Sequence, residues 1–280
     1  MAFHQCDYER ATVFHQDALA LYRHLGDQQG IAFALNNIGA QAVCQGDYER
    51  AMPFLEESLA LYRKVGDKRG IFYPLTSLGV VALYQGDYGR AADLLEEALS
   101  LSQGSGDRRS VAMALVNLGY VAGLQGHHGR AARLLKESLP LWEQLGDKKS
   151  LANALTNLGT VAREQGDYGQ AAALYKESLA LRWTGEQHRG VADDAECLEG
   201  LAAVACALGQ AERTARLCAA AAALREVIGA PLPPSERATY ERTVATARAH
   251  LDEETFATAW EEGQAMALEQ AIAAACGTDR

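Results

Sequence analysis

Basic residues are the minority charge in this 280-residue chain: 26 Lys and Arg stand against 36 Asp and Glu, a formal charge of −10. A surface of that sign repels a phosphate backbone, so nucleic acid is not expected to bind this segment. Cysteine is sparse and scattered (Cys6, Cys44, Cys197, Cys206, Cys218, Cys276) with no C-x-x-C pair, which leaves disulfide and zinc frameworks without support. Thiols buried or half-buried in a reducing cytoplasm are the expectation. No run of residues approaches a membrane span, and the opening MAFHQCDYERATVFH lacks a charged stretch followed by an apolar core. A soluble chain, with no membrane partner, is expected.

Convergent catalytic groups are lacking as well. His127-His128 stands where related segments carry Asp-Tyr and has no third ligand nearby, which makes it a solvated loop pair rather than a metal site. His4, His15 and His24 do not share one helical face. Gly104-Ser105-Gly106, followed by Asp107 and Arg108, lacks the Lys-Ser/Thr and the preceding strand of a phosphate loop, and reads as a flexible helix-to-helix connection. Glu56-Glu57, Glu96-Glu97, Lys136-Glu137 and Lys176-Glu177 fall at equivalent places and read as a solvated outer face. No enzymatic activity, metal or cofactor is expected.

What the chain does have is a repeat. The segment GDYERAMPFLEESLALYRKVGDKRGIFYPLTSLG recurs at a step of 40 residues, the mark of a stacked helical-repeat protein. Gly26-Asp27, Gly66-Asp67, Gly106-Asp107 and Gly146-Asp147 mark one junction per repeat. Gly46-Asp47-Tyr48, Gly86-Asp87-Tyr88, Gly126-His127-His128 and Gly166-Asp167-Tyr168 mark a second, so each repeat holds two helices. Gly can end a helix in the left-handed conformation, and Asp can then accept hydrogen bonds from the free N–H groups of the next one. Leu35, Ile38 and Ala42 fall on one face of the first helix, and Ala51, Leu55 and Leu59 on one face of the second. Small residues return where the helices must touch, in the columns Gly39/Gly79/Gly119/Gly159 and Ala51/Ala91/Ala131/Ala171.

These columns resemble the tetratricopeptide repeat: Leu-Gly in the first helix, a Gly-Asp-Tyr turn, then Ala four residues after that Asp, across roughly residues 7 to 187. The period is six residues longer than the common form, which implies a second helix about one turn longer. The resemblance implies an all-α, right-handed α-solenoid. Residues 222–275, through Pro-Leu-Pro-Pro, Phe-x-x-Ala-Trp-x-x-Gly and an Ala-Ile-x-x-Ala ending, resemble the tail after the repeats in bacterial LuxR-type transcriptional regulators and regulatory ATPases. ATP and DNA binding would belong to a parent protein, since this chain has no G-x-x-x-x-G-K-[ST] loop and no recognisable helix-turn-helix.

Residues 1–27 read as a half repeat, a second helix whose first is absent, leaving Phe14, Leu19 and Tyr22 to be covered by an upstream segment or by a homodimer through residues 7–24. Four repeats follow over 28–187, then a degenerate fifth over 188–230 in which Leu201-Ala202 and Gly209-Gln210-Ala211 stand in for the motif, shifted by three residues. The shift is expected to lengthen the first helix of that unit. Residues 231–280 read as capping helices at about 235–250, 253–263 and 265–275, with Ser235 as an N-cap and Tyr240, Phe256, Trp260, Met266, Leu268 and Ile272 as anchors.

In solenoids of this kind the first helices line the concave face. Helical spacing assigns to it Phe33, Asn36 and Asn37; Tyr73, Ser77 and Tyr84; Met113, Asn117 and Tyr120; Asn153, Asn157, Arg163 and Glu164. Apolar and aromatic groups mixed with Asn suit an extended peptide, whose backbone donors and acceptors Asn can both satisfy. Glu196 and Glu199 would make the groove acidic at its carboxy-terminal end and favour a partner with Lys or Arg there. The expected function is a non-enzymatic protein- or peptide-binding scaffold, the sensor or interaction region of a larger bacterial regulator. The alternative is a self-associating structural module without a peptide ligand.

Overall fold

The computed structural model describes residues 2–183, 191–232, 234–266 and 270–273, with side chains described for all of these except 2–11, 191–192 and 234–235. Among the described residues the chain is helical and carries no strand. The helices are α1 (Ala2–Leu25), α2 (Gln28–Cys44), α3 (Tyr48–Val65), α4 (Lys68–Tyr84), α5 (Tyr88–Ser105), α6 (Arg108–Leu124), α7 (His128–Leu145), α8 (Lys148–Glu164), α9 (Tyr168–Arg182), α10 (Val191–Ala207), α11 (Ala211–Ile228), α12 (Pro234–Ala249) and α13 (Glu253–Ala265). Residues 270–273 are helical too. The chain divides into two compact units, Met1–Leu141 and Trp142–Arg280. Leu268 and Cys276 lie outside the described residues, as do the side chains of His4, Cys6 and Ser235, and Ser235 stands inside α12 rather than at the N-cap expected of it, because the helix already begins at Pro234.

Each junction is built from its two-residue code. At the end of α3, Gly66 takes φ 73°, a conformation that costs a residue with a Cβ. Asp67 then accepts from the amides of Arg69 (3.1 Å) and Gly70 (2.9 Å), so the stop of one helix is the start of the next. The first helices α2, α4, α6 and α8 each have 17 residues, and the second helices α3, α5 and α7 each have 18.

In the first unit the hairpins close on small residues. A Cβ on Gly79 would lie 2.9 Å from Leu95, so α4 and α5 approach more closely than any larger residue would allow. Leu35, Leu55, Leu75, Leu95 and Leu115 are buried completely or nearly so. On the outer side, Arg63 pairs with Glu97 (2.6 Å) and Arg130 with Glu96, linking second helices of successive repeats. Both pairs are substantially exposed, so each contributes at most about 1 kcal/mol.

Helix α1 corrects one expectation. Leu19 is buried with Ile31, Leu35 and Ile38, and Tyr22 packs half-buried against the same cluster. Among the described side chains of α1, the exposed large apolar ones are Val13, Phe14, Leu21 and Leu25. The residues equivalent to Phe14 and Leu21 in α3 are Phe54 and Leu61, which pack against the cluster formed by α1 and α2. The second helix α3 therefore packs on both sides, whereas among the described residues of α1 Leu19 and Tyr22 pack on the side facing α2 and Phe14 and Leu21 are exposed.

In the second unit, Tyr175 fills the space that the glycines leave: its ring lies 3.0 Å from where a Cβ on Gly159 would be and 2.4 Å from one on Gly200. Helix α10 has 17 residues, the same as its counterparts, so the extra residues do not lengthen it. They fall instead between α9, which stops after 15 residues at Arg182, and α10. Helix α13 packs deeply against α11, where a Cβ on Gly263 would meet the Arg216 carbonyl at 2.3 Å. Phe256 and Ile272 are buried, Tyr240, Trp260 and Met266 pack against the same unit's core, and the Tyr240 hydroxyl donates to the Cys218 carbonyl at 3.0 Å.

Candidate peptide-binding face

The first helices α2, α4 and α6 lie side by side in the first unit. Their cores point inward through Ile38, Leu78 and Leu118, all at most 4% exposed. On another side of these helices Phe33 is 54% exposed, Tyr73 51% and Tyr84 58%. Asn37, Ser77, Asn117 and Tyr120 are half-buried along the same side, and Met113 is half-buried with part of its side chain against the core. Tyr84 stacks on Tyr48, the first residue of α3, with ring centroids 5.1 Å apart and planes at 12°. That pairing fixes an otherwise exposed ring in one orientation. It is a feature that sequence reasoning missed, although Tyr48 stands at a recurrent turn position.

Asn36 does not join this face. It is 8% exposed, in the column of Thr76 and Thr156, which are buried between helices and return their hydroxyls to the carbonyls of Phe72 and Ala152. Its Oδ1 atom is buried with no hydrogen-bond partner, so Asn36 is part of the packing rather than a peptide contact.

The corresponding face of the second unit is organised differently. Asn153 accepts from Arg182 Nη2 at 2.6 Å, and Arg182 also pairs with Asp193 at 2.6 Å. The Arg182 side chain is 4% exposed and bonds Ser178 as well, so Asn153 is committed inside the protein. Arg182 stands in the column of Tyr22, Tyr62, Ser102 and Trp142, and a charge in an otherwise uncharged column is the sequence signal for the network. Asn157 remains half-buried. Arg163 donates to its neighbour Glu164 at 2.8 Å, and Thr160 bonds the Tyr175 hydroxyl at 2.9 Å.

Glu196 and Glu199 do not form an open acidic end. Glu199 is held by Arg225 of α11 through two bonds of 2.5 and 2.8 Å. Burial pushes its pKa up while the Arg225 bonds pull it down, and burial prevails. Glu196 shares a cavity with Thr160, Arg163, Tyr175, Glu236, Thr239 and Tyr240, and the last three belong to α12. Burial, followed by the charges of Glu236 and Asp193, raises the Glu196 pKa to about 7. The chain's own helix thus stands over the carboxylates expected to greet a partner.

Cys197 and Cys218 are buried, with pKa values pushed up to about 11 and about 12 chiefly by burial, which makes both thiols poor nucleophiles at neutral pH. Among the described residues, no three His, Cys, Asp or Glu side chains gather as metal ligands, and no helix is long and apolar enough to cross a membrane.

Comparison with known proteins places these features. No curated protein matches the sequence. The solved structure of BtubC (BKLC) from P. vanneervenii superposes with a TM-score of 0.65 at 20% identity, covering 81% of this chain and 94% of that one. A Rap protein complexed with Competence and Sporulation Factor gives a TM-score of 0.59 at 15% identity, covering 89% of this chain and 67% of that one. The Signal Transduction ATPase with Numerous Domains (STAND) protein with a tetratricopeptide repeat sensor from Pyrococcus horikoshii gives 0.61 at 13% identity, covering 85% of this chain and 36% of that one. At these identities the likeness is one of fold. The tetratricopeptide repeat family model matches residues 1–64, 71–144 and 110–182, more than half of the chain, and with the paired helices and the glycine-closed hairpins this shows that the chain belongs to the tetratricopeptide repeat family, whose members are generally non-catalytic scaffolds.

Proposed function

We propose that the chain binds an extended peptide or a peptide-like segment of a protein on the first-helix face of its first unit, as the sensor or interaction region of a larger bacterial signalling or transcriptional regulator. The observation that carries this reading is the half-exposed row Phe33, Tyr73 and Tyr84, flanked by Asn37, Ser77 and Asn117. Large rings on a rigid frame supply contact area at little entropic cost, and the amide side chains can pair with a backbone. The Rap complex and the tetratricopeptide sensor of the STAND protein are structural neighbours with bound or sensing roles in their own descriptions, and they support a signalling context.

The test is a peptide array probed with the wild type, with Tyr73→Ala and with Asn117→Ala. Peptides with apolar side chains along the middle are expected to bind. Asn117→Ala should weaken them by about 1 kcal/mol for a lost backbone pairing. Binding indifferent to both changes would remove the assignment.

A second reading, self-association, is favoured by α1, where Phe14 is 67% exposed and Leu21 58% while the equivalent Phe54 and Leu61 are packed. A homodimer would cover that stripe. Sedimentation separates the readings: Phe14→Glu with Leu21→Glu should turn a dimer into a monomer and leave peptide binding intact.

A further inference from the structure

Helices α12 and α13 meet in a groove of about 360 Å³, a size in the range of ligand sites, lined chiefly by Val244 and Arg248 of α12 and by Glu253, Phe256, Trp260 and Glu261 of α13. Helical spacing puts Phe256 and Trp260 on one stripe of α13, with Glu253 and Glu261 beside it. The groove already contains one pairing of a cation with a ring. The Arg248 guanidinium lies 4.7 Å from the Phe256 centroid, and Glu253 balances its charge at 3.1 Å. A planar cation can face a ring while its N–H edge meets a carboxylate.

Trp260 and Glu261 offer the same ring and carboxylate without the cation. Phe256 stacks on Trp260 with centroids 5.5 Å apart and planes at 24°, which holds the indole in one orientation. Trp260 stays half-buried, and among the described residues neither its indole N–H nor the Glu261 carboxylate has a hydrogen-bond or ion-pair partner.

Charge sets the sign of what fits there. Residues 252–262 carry Asp252, Glu253, Glu254, Glu261 and Glu262 and no Lys or Arg. Asp252 is spent on the amide and hydroxyl of Thr255, Glu253 on Arg248, and Glu262 on Arg216. Glu254 and Glu261 remain, and of these two only Glu261 lines the groove. A cationic group is attracted there and an anionic one repelled.

We propose that the groove between α12 and α13 is a docking site for an arginine side chain of a partner protein, stacked on Trp260 and paired with Glu261. Arginine suits it better than lysine, because a guanidinium can lie on the indole and reach the carboxylate with its edge at once, whereas an ammonium is a compact and more strongly hydrated point charge. The indole N–H is placed to donate to a carbonyl of the same partner. This site belongs wholly to the second unit and is separate from the peptide face of the first.

The test is a titration of the whole nitrogen-15-labelled chain with acetyl-Gly-Arg-Gly-amide, followed at the indole N–H resonance of Trp260, which Trp260→Phe identifies by its loss. A saturable shift is expected. The lysine analogue should bind about threefold or more weaker, and the uncharged citrulline analogue about tenfold or more weaker. Glu261→Gln, at an exposed position that the fold does not depend on, should weaken the arginine peptide about threefold. Glu254→Gln makes the same charge change on the same helix outside the groove and should leave binding as it was. The absence of a saturable shift at Trp260, citrulline binding as well as arginine, or equal losses from the two glutamine variants overturns the site.

Discussion

The same helical column carries Phe33, Tyr73 and Met113 in the first unit but Asn153 and Glu196 in the second. In the first unit its aromatic members emerge half-exposed; in the second it is drawn into an Arg182 network and a cavity under α12. One scaffold thus supports two uses of one position. An apolar ring at the face can stay in water at modest cost, whereas half-buried carboxylates and amides need partners, and the chain supplies Arg182 of α9 to Asn153 and Arg225 of α11 to Glu199.

The widest contrast should come from inside against outside in the first unit. Leu75→Ala, at a fully buried position, should cost about 2–5 kcal/mol, and Phe33→Ala, on the exposed face, within about 0.5 kcal/mol. Urea unfolding followed by circular dichroism would measure both, and equal losses would mean that Phe33 is part of the core.

Next in size is Arg182, the buried hub of the second unit. Removing it by Arg182→Ala should cost about 1–3 kcal/mol, less than for a fully buried pair because Asp193 is 35% exposed. A loss no greater than that of an exposed Arg63→Ala control would show that the network is ornamental to stability.

A third expectation concerns pH. In the first unit, hydrogen bonds from Ser110 hold the Asp107 carboxyl below the usual range, so its contribution is present above the ordinary value and is lost as pH falls through the lowered one. In the second, the raised Glu196 contributes below 4.5 and is lost as pH rises toward about 7. Asp252 at the start of α13 is lowered by Thr255 and behaves like Asp107. Between pH 5 and 8 only the second unit should therefore lose stability on this account, and Glu196→Gln should reduce that loss in pH-dependent melts, leaving the part that the raised Glu199 carries.

The smallest effect separates two turns of the repeat. Ser102, Gly104 and Ser105 occupy places taken by Trp142, Gln144 and Leu145 two helices on. Sequence alone suggested a flexible link at 104–106, but α5 continues to Ser105, with serine hydroxyls returned to the carbonyls of Leu99 and Ser102. Amides 102–107 should still exchange about tenfold faster than 142–147, because a Gly and two small side chains anchor that turn less firmly. Equal protection would show that the serine bonds compensate.

What the sequence determined by itself was everything with a local cause. Gly-Asp pairs stop and start helices through backbone conformation and capping, and a fixed 40-residue register returns each helix face to its place, so the helices, their pairing and the exposed row at Phe33 and Tyr73 could be read from spacing. What only the tertiary structure decided depended on which surplus group met which. Spacing put Asn36 one step from Asn37, but neighbouring helices buried it. It showed Glu199 as a charge but not that Arg225, 26 residues on, would hold it. Nor did it show α12 over Glu196, because a carboxylate's partner is chosen by distance in space, and the one-dimensional pattern carries no distances between segments outside the repeat.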